Sequence, residues 1–348
     1  MRLETYGIAT APPEIRALFD RQMRPEGGWD WFEILAATTL AGREQAVILA
    51  LVDAQREVLA ALPVVLIDGQ MIRGLTSPFT TEFCAPLGSG DNARHFGKLL
   101  AGRVAVSLRV DALDGTGQQV QAFAEGLAAG GLVVLKFRHF ANWFEPIRDF
   151  AEYWNGRGSK LKATVKRKAA PLLREGRLGF ELVDLTARWQ DGAGIYNAIY
   201  GKSWKPAEPH PHFIDGLLER LGPRGVARLA VARIDGTPAA AQIWLVQGTS
   251  ATIFKLAHDP AFDRQSPGTL LTHWVLNRLY DQDGVREVDF GRGDDPYKRL
   301  WLSSVRDRIG FLAANPKSLK GMAAILFDIL PSKLGRYLRA GRKAAMQT

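Results

Sequence analysis

The sequence predicts a mixed α/β (α+β) protein with two lobes. Three observations point there. At 348 residues the chain is longer than one small hydrophobic core serves comfortably, and 47% of it is hydrophobic. Helix-type and strand-type patterns alternate through the first half. In the second half, three alternating strand segments joined by tight turns lead into an amphipathic helix and another strand.

Each element has its own signal. An Ala-Pro-Pro entry predicts a helix over 13–24, and the aromatic run WDWFEILAA over 29–37 packs. Strands are expected at 46–52 and 58–66, then a turn at Asp68-Gly69 into 71–75. Residues 76–91 read as a long loop, and Phe96 opens a helix to 101. A strand over 104–110, a helix over 118–129 ended by Gly130-Gly131, and an apolar strand over 132–137 complete the first half. Residues 149–179 read as a connection between lobes, with a basic helix at 159–173 that Pro171 would shorten. Helices follow at 186–200 and 210–221. The meander is 228–234, 239–246 and 251–257, with turns at Asp235-Gly236 and Gly248-Thr249-Ser250. A helix over 268–281, a strand over 285–290, a short helix over 296–302 and a strand over 309–313 end the ordered pattern.

The net charge of +9 is local. Residues 157–177 carry +7 and residues 316–348 carry +6, which leaves the remainder at −4. Two basic stripes on a mildly acidic body suit an anionic partner, a phosphate-bearing ligand or a membrane face, or are solvated helix faces. Near the end, Leu334, Tyr337 and Leu338 share a helical face ringed by Arg336, Arg339, Arg342 and Lys343, while Ile325, Leu326, Ile329 and Leu330 are expected to dock on the protein. Cys84 is the only cysteine, so no internal disulfide and no cysteine zinc site can form. No metal site is expected: His210 and His212 have no evident third ligand. The N-terminus has no signal-peptide pattern and no apolar run is long enough to span a bilayer, so the expected location is cytoplasmic.

Three clusters concentrate chemistry. Gln265-Ser266-Pro267-Gly268-Thr269 stands at a helix start, where free backbone N–H groups favour an anion, Gly268 admits close approach, and Ser266 or Thr269 can cap. Asp289-Phe290-Gly291-Arg292-Gly293-Asp294-Asp295-Pro296-Tyr297-Lys298 packs charge and glycine at a strand end; it makes a site or a capped turn, with one aspartate as cap and Pro296 at the first helical position. Lys255 and His258-Asp259 end the third meander strand, where His258 brings a side chain suited to proton transfer. Trp204 and Lys205 follow a helix, with Trp204 able to stack on a sugar or base.

Taken together, Ser203-Trp204-Lys205, Ala240 to Trp244, Phe254 to Asp259, Ser266 to Leu271 and Asp289 to Lys298 resemble the CelD/BcsL-type branch of the GNAT acyltransferases, a branch related to the FemAB peptidyltransferases. The resemblance covers about 150–315 well and the N-terminal half loosely. It implies tandem GNAT-like lobes, each a mixed, largely antiparallel sheet flanked by helices. The implied division is 1–150, a catalytic lobe over 151–315, and a basic amphipathic segment over 316–348. It also implies acyl transfer to an amine or hydroxyl in exopolysaccharide or cell-envelope metabolism. Acetyl-CoA or another acyl-CoA would be co-substrate, held on Gln265 to Thr269, and an amino sugar or polysaccharide precursor the acceptor. Leu270 stands where the family has a second small residue. FemAB relatives draw on aminoacyl-tRNA, the one nucleic acid that fits.

Acyl transfer needs a base, an oxyanion partner and an acid for the leaving thiolate. Asp289, Asp294 or Asp295 would orient or deprotonate an acceptor amine, Lys298 or Arg292 stabilise negative charge, and Tyr297 protonate the thiolate. His258 is a further candidate base, and Trp204, Lys205, Lys255 and Asp295 would contact substrate. A non-catalytic GNAT-fold binding protein is the competing reading.

Overall fold

The computed structural model describes residues 1–330. The basic segment 331–348, with the face of Leu334, Tyr337 and Leu338, lies outside the described residues. Two compact units emerge from the contacts. The first comprises Met1–Gln22, Glu26–Phe140 and, of the described residues, 307–330; the second comprises Met23–Pro25 and Ala141–Arg306.

The first unit opens with β1 (Arg2–Gly7), α1 (Pro13–Asp20) and α2 (Trp29–Thr38). Ile15 and Phe19, four apart, bury one face of α1, and Trp29, Trp31, Phe32 and Leu35 bury α2. Next come β2 (Glu44–Val52), β3 (Val58–Ile67) and β4 (Met71–Gly74). Their β-branched and leucine runs are buried almost throughout. Asp68 and Gly69 both take positive φ, the hairpin turn that joins β3 to β4. Then follow α3 (Gly90–Ala101), β5 (Ser107–Asp114), α4 (Gln118–Ala129) and β6 (Val133–Pro146), which runs on into the second unit.

The second unit continues with α5 (Phe150–Asn155), α6 (Ser159–Arg174), β7 (Leu178–Val183), α7 (Leu185–Lys202) and α8 (Pro211–Leu221). Its meander is β8 (Ala227–Ile234), β9 (Thr237–Gln247) and β10 (Ser250–His258), followed by α9 (Pro267–Asp281), β11 (Glu287–Arg292), α10 (Lys298–Trp301) and β12 (Ser304–Ala314). The last part of β12 and α11 (Leu319–Ala324) belong to the first unit. Trp244, Leu271, Val275, Leu276, Leu279 and Phe290 centre the core between the second unit's sheet and α9.

The two units repeat one plan. Each runs strand, two helices, three strands, helix, strand, helix, strand. In each, the first four strands pair antiparallel, and the fourth pairs parallel with the fifth. The fifth strand is flanked by an antiparallel neighbour, β12 beside β5 and β6 beside β11. The expected class, mixed and largely antiparallel sheets flanked by helices, therefore holds for both units.

Several expected boundaries moved for local reasons. The helix expected from Phe96 begins at Gly90, because Ser89 accepts from the Asn92 amide and caps it six residues earlier. The strand expected over 104–110 is Ser107–Asp114, with Ala112 at φ 61 bending it. The strand expected to end at 137 continues to Pro146. The edge strands β1 and β7 were not anticipated: only one residue of each is fully buried, so neither carries a strong alternation. Pro171 lies inside α6 without shortening it. Residues 150–174 are not a bare connector. Leu161 packs into the second unit's main core, and Val165 and Leu172 join Leu270 of α9. Leu326 and Leu330, expected to dock, are about half exposed, whereas Ile325 and Ile329 are buried as expected.

Candidate active site

β10 and β11 pair only over Ser250–Glu287, Ala251–Val288 and Thr252–Asp289. Beyond that, β10 runs on to His258 and β11 to Arg292 with no further pairing between them. A register shift between Ile253 and Lys255 on one strand, and another between Asp289 and Arg292 on the other, accompany the divergence. Near the free end of β10 is a cavity of about 570 Å³, a volume typical of small-ligand sites. Its walls are the end of β10, the start of α9, the residues after α7 and the segment around α10.

The α9 wall is polar backbone. Ser266 sits in the left-handed region (φ 55, ψ 48), a conformation costing about 1 kcal/mol for a non-glycine residue, and Pro267 takes the first helical position. Ser266 makes no side-chain cap, so the first-turn amides of Gly268 and Thr269 are left for another acceptor, at the positive end of the helix dipole. A Cβ built on Gly268 would meet only His258 Nδ1, at 3.9 Å. No protein contact therefore requires glycine there; a ligand close to the backbone would. Leu270, the departure from the family pattern, is buried against Val165, Leu172 and Ile234 and is not part of the cavity wall.

Facing this wall, His258 Nε2 lies 2.7 Å from Asp263 Oδ1, and its ring packs 4.8 Å from that of Trp204. With Nε2–H donating to the carboxylate, Nδ1 is the bare nitrogen on the Gly268 side. Lys205 Nζ donates to the Leu256 carbonyl at 2.5 Å. Burial, helped by the nearby Lys255 charge, brings its amine down to about 8. Gln242 lies at the base, almost fully buried, donating to Thr272 Oγ1 at 2.7 Å and the Gly268 carbonyl at 3.2 Å, while Trp244 donates to its Oε1 at 3.0 Å. This chain of bonds ties the helix start to β9. Asp295 and Tyr297 form the opposite rim; burial and the Asp295 charge hold the Tyr297 phenol well above its usual range, so it stays protonated.

Of the residues singled out from sequence, His258, Ser266, Pro267, Gly268, Thr269, Trp204, Lys205, Asp295 and Tyr297 all line this one cavity. The others lie off its wall. Asp289 is buried and accepts from Asn142 (2.6 Å), the Gly291 amide (2.7 Å) and Arg306 (2.6 Å), with Arg24 at 3.5 Å. Lys298 is buried beneath the 292–295 loop, donating to the carbonyls of Arg292 and Gly293 and pairing with Asp295 at 3.3 Å. Asp294 accepts from Trp143 and Arg299, both at 2.9 Å. Lys255 is held by both oxygens of Glu208 at 2.7 Å. Arg292 ends β11, and Gln265 precedes the wall with its side-chain oxygen buried. Gln242, Thr272, Asp263 and Leu161 are wall residues that sequence reasoning missed. Gln242 had a signal, as the one amide in the apolar run AAAQIWLV.

Residues 159–299 match the acetyltransferase (GNAT) domain. The match falls within the second unit. No curated protein matches the chain. In fold it is similar to FemX (12% identity, 94% of this chain and 100% of that one, TM-score 0.62). It is similar also to the C-terminal DUF2156 domain of a presumed lysylphosphatidylglycerol synthetase from Agrobacterium fabrum (15%, 90% and 93%, TM-score 0.53). A third likeness is to a conserved protein of unknown function from Bacteroides thetaiotaomicron (11%, 86% and 95%, TM-score 0.55). At these identities the likeness is one of fold.

Proposed function

We propose that the protein is an acyl-CoA-dependent N-acyltransferase acting in the cytoplasm on an amino sugar of a polysaccharide or cell-envelope precursor. The observation that carries the reading is the uncapped, glycine-bearing start of α9 opening onto a ligand-sized cavity. The amides of Gly268 and Thr269 would hold the donor's pyrophosphate. His258 Nδ1, with Asp263 fixing the other ring nitrogen, would take the proton from the acceptor amine. The amine nitrogen bonds to the acyl carbon, the carbon–sulfur bond breaks, and the Tyr297 hydroxyl returns a proton to the thiolate. Protonated Lys205 would meet the negative charge on the acyl oxygen. Trp204, 64% exposed on the cavity wall, offers a face for a sugar ring. The quoted motifs favour the CelD/BcsL type within the superfamily.

A second reading, an aminoacyl-tRNA donor, is favoured by α6, which places exposed Lys160, Lys166 and Arg167 on the helix whose Leu161 lines the cavity. Calorimetric titration separates the two. Acetyl-CoA is expected to bind in the micromolar range, and Gly268→Val to lower affinity by at least about tenfold while the fold is kept, since the added methyls enter the cavity. No binding of acetyl-CoA by the parent chain would sink the acyl-CoA reading and leave aminoacyl-tRNA to be tried.

A further inference from the structure

The helix from 319 to 330, α11 with the π turn Ile325–Ile329 and Leu330, is pinned to the first unit on one side only. Ile325 and Ile329 pack with Leu135 and Ala314, and a Cβ on Gly321 would sit 2.1 Å from the Asn315 carbonyl oxygen. Ser318 caps its start, accepting from the Gly321 amide. Its other side is apolar and open. Leu319 is 92% exposed, Met322 39%, Leu326 50%, Phe327 77% and Leu330 47%. The spacing i, i+3, i+7, i+8, i+11 lines them along one face. A helix apolar on both its docked and its outward side is unusual on a protein surface.

The charge nearby is mainly positive: over 316–348 seven Lys and Arg stand against Asp328, which is exposed beside Phe327. Exposed Lys317 and Lys320 stand at the start of the helix. The residues after Leu330 include Lys333, Arg336, Arg339, Arg342 and Lys343 with no Asp or Glu. We propose that this face is a membrane-docking surface: Leu319, Leu326, Phe327 and Leu330 enter the headgroup region of an anionic bilayer while exposed Lys317 and Lys320 pair with lipid phosphates. Five exposed apolar side chains fall well short of the roughly 20–30 residues a side of a standard protein interface. A bilayer needs only an apolar wedge and adjacent cations, and each basic residue near an anionic surface raises binding about fivefold. No helix among the described residues is long and apolar enough to cross a membrane, so the contact is with the surface. This inference is independent of the acyl-transfer reading.

Flotation with vesicles tests it. The full chain is expected to float with vesicles of phosphatidylcholine containing about one part in three phosphatidylglycerol and not with phosphatidylcholine alone. Leu319→Ser together with Phe327→Ser changes no charge and removes no buried contact; it is expected to cut the bound fraction at least about tenfold with an unchanged thermal midpoint. Equal binding by the variant would leave the basic residues alone as the anchor and overturn the proposal. So would failure of the parent chain to float. A lowered thermal midpoint in the variant would mean that another part of this chain covers the face, and a dimer lost in the variant would assign it to a second copy; either result overturns the proposal.

Discussion

Lys205 is a cavity-wall residue whose charge depends on its surroundings. Its amine comes down from an ordinary 10.5 to about 8, chiefly because burial penalises the cation and then because Lys255 stands near. Below that value it is protonated and can meet negative charge on an acyl oxygen; above it the amine is neutral and that stabilisation is lost. Turnover is therefore expected to fall as the pH rises through about 8. Lys205→Arg, which keeps its charge, should move that alkaline limb upward by a unit or more in a kcat/KM profile. An unmoved limb would remove Lys205 from the chemistry. The aspartates illustrate the other side of residue-scale reading. Asp289 and Asp295 look alike in the sequence, yet one is saturated by Asn142, the Gly291 amide and Arg306, and the other faces the cavity.

At the scale of elements, the site depends on two strands that part. β11 can leave β10 after Asp289 because its turn is held from behind: Gly291 and Gly293 take positive φ, Lys298 binds the Arg292 and Gly293 carbonyls, and Asp289 anchors the strand. Removing the anchor leaves Arg24 and Arg306, themselves mostly buried, to share Glu287, and strips Asn142 and the Gly291 amide of their acceptor. Asp289→Ala is expected to cost about 3 kcal/mol, read as a lower denaturant midpoint with unchanged slope. A midpoint within about 0.5 kcal/mol of the parent would show that the anchor is dispensable. The meander and α9 were legible to within a residue or two, since apolar strand runs bounded by turn residues, and helical spacing, act locally. The parting of β10 and β11 was not, because pairing partners lie far apart in sequence.

Over the whole molecule, one plan occurs twice with different outcomes at the equivalent helix. In the first unit α3 is capped by its own Ser89, whose side chain accepts from the Asn92 amide, although a cavity of about 460 Å³ lined by Gly88, Val110 and Phe123 lies beside it. In the second, α9 is uncapped and opens on a cavity. Ser89→Ala is thus expected to cost about 1 kcal/mol of stability and to leave donor affinity unchanged. Weakened acetyl-CoA binding in that variant would place a donor contact in the first unit and undo the asymmetry.

What the sequence by itself determined is the local grammar: the turns at Asp68-Gly69 and Asp235-Gly236, the meander, the start of α9, and the residue types that suit acyl transfer. These rest on backbone preferences and periodicities that act over a few residues. Tertiary structure alone decided which polar residues share a cavity. His258, Gly268, Lys205 and Tyr297 converge there, while Lys298, Lys255 and Asp289 turn into ion pairs and carbonyl cradles. A buried charge is stable only when it is paired, and the pairing partners are chosen by the packing of strands and loops distant in the chain.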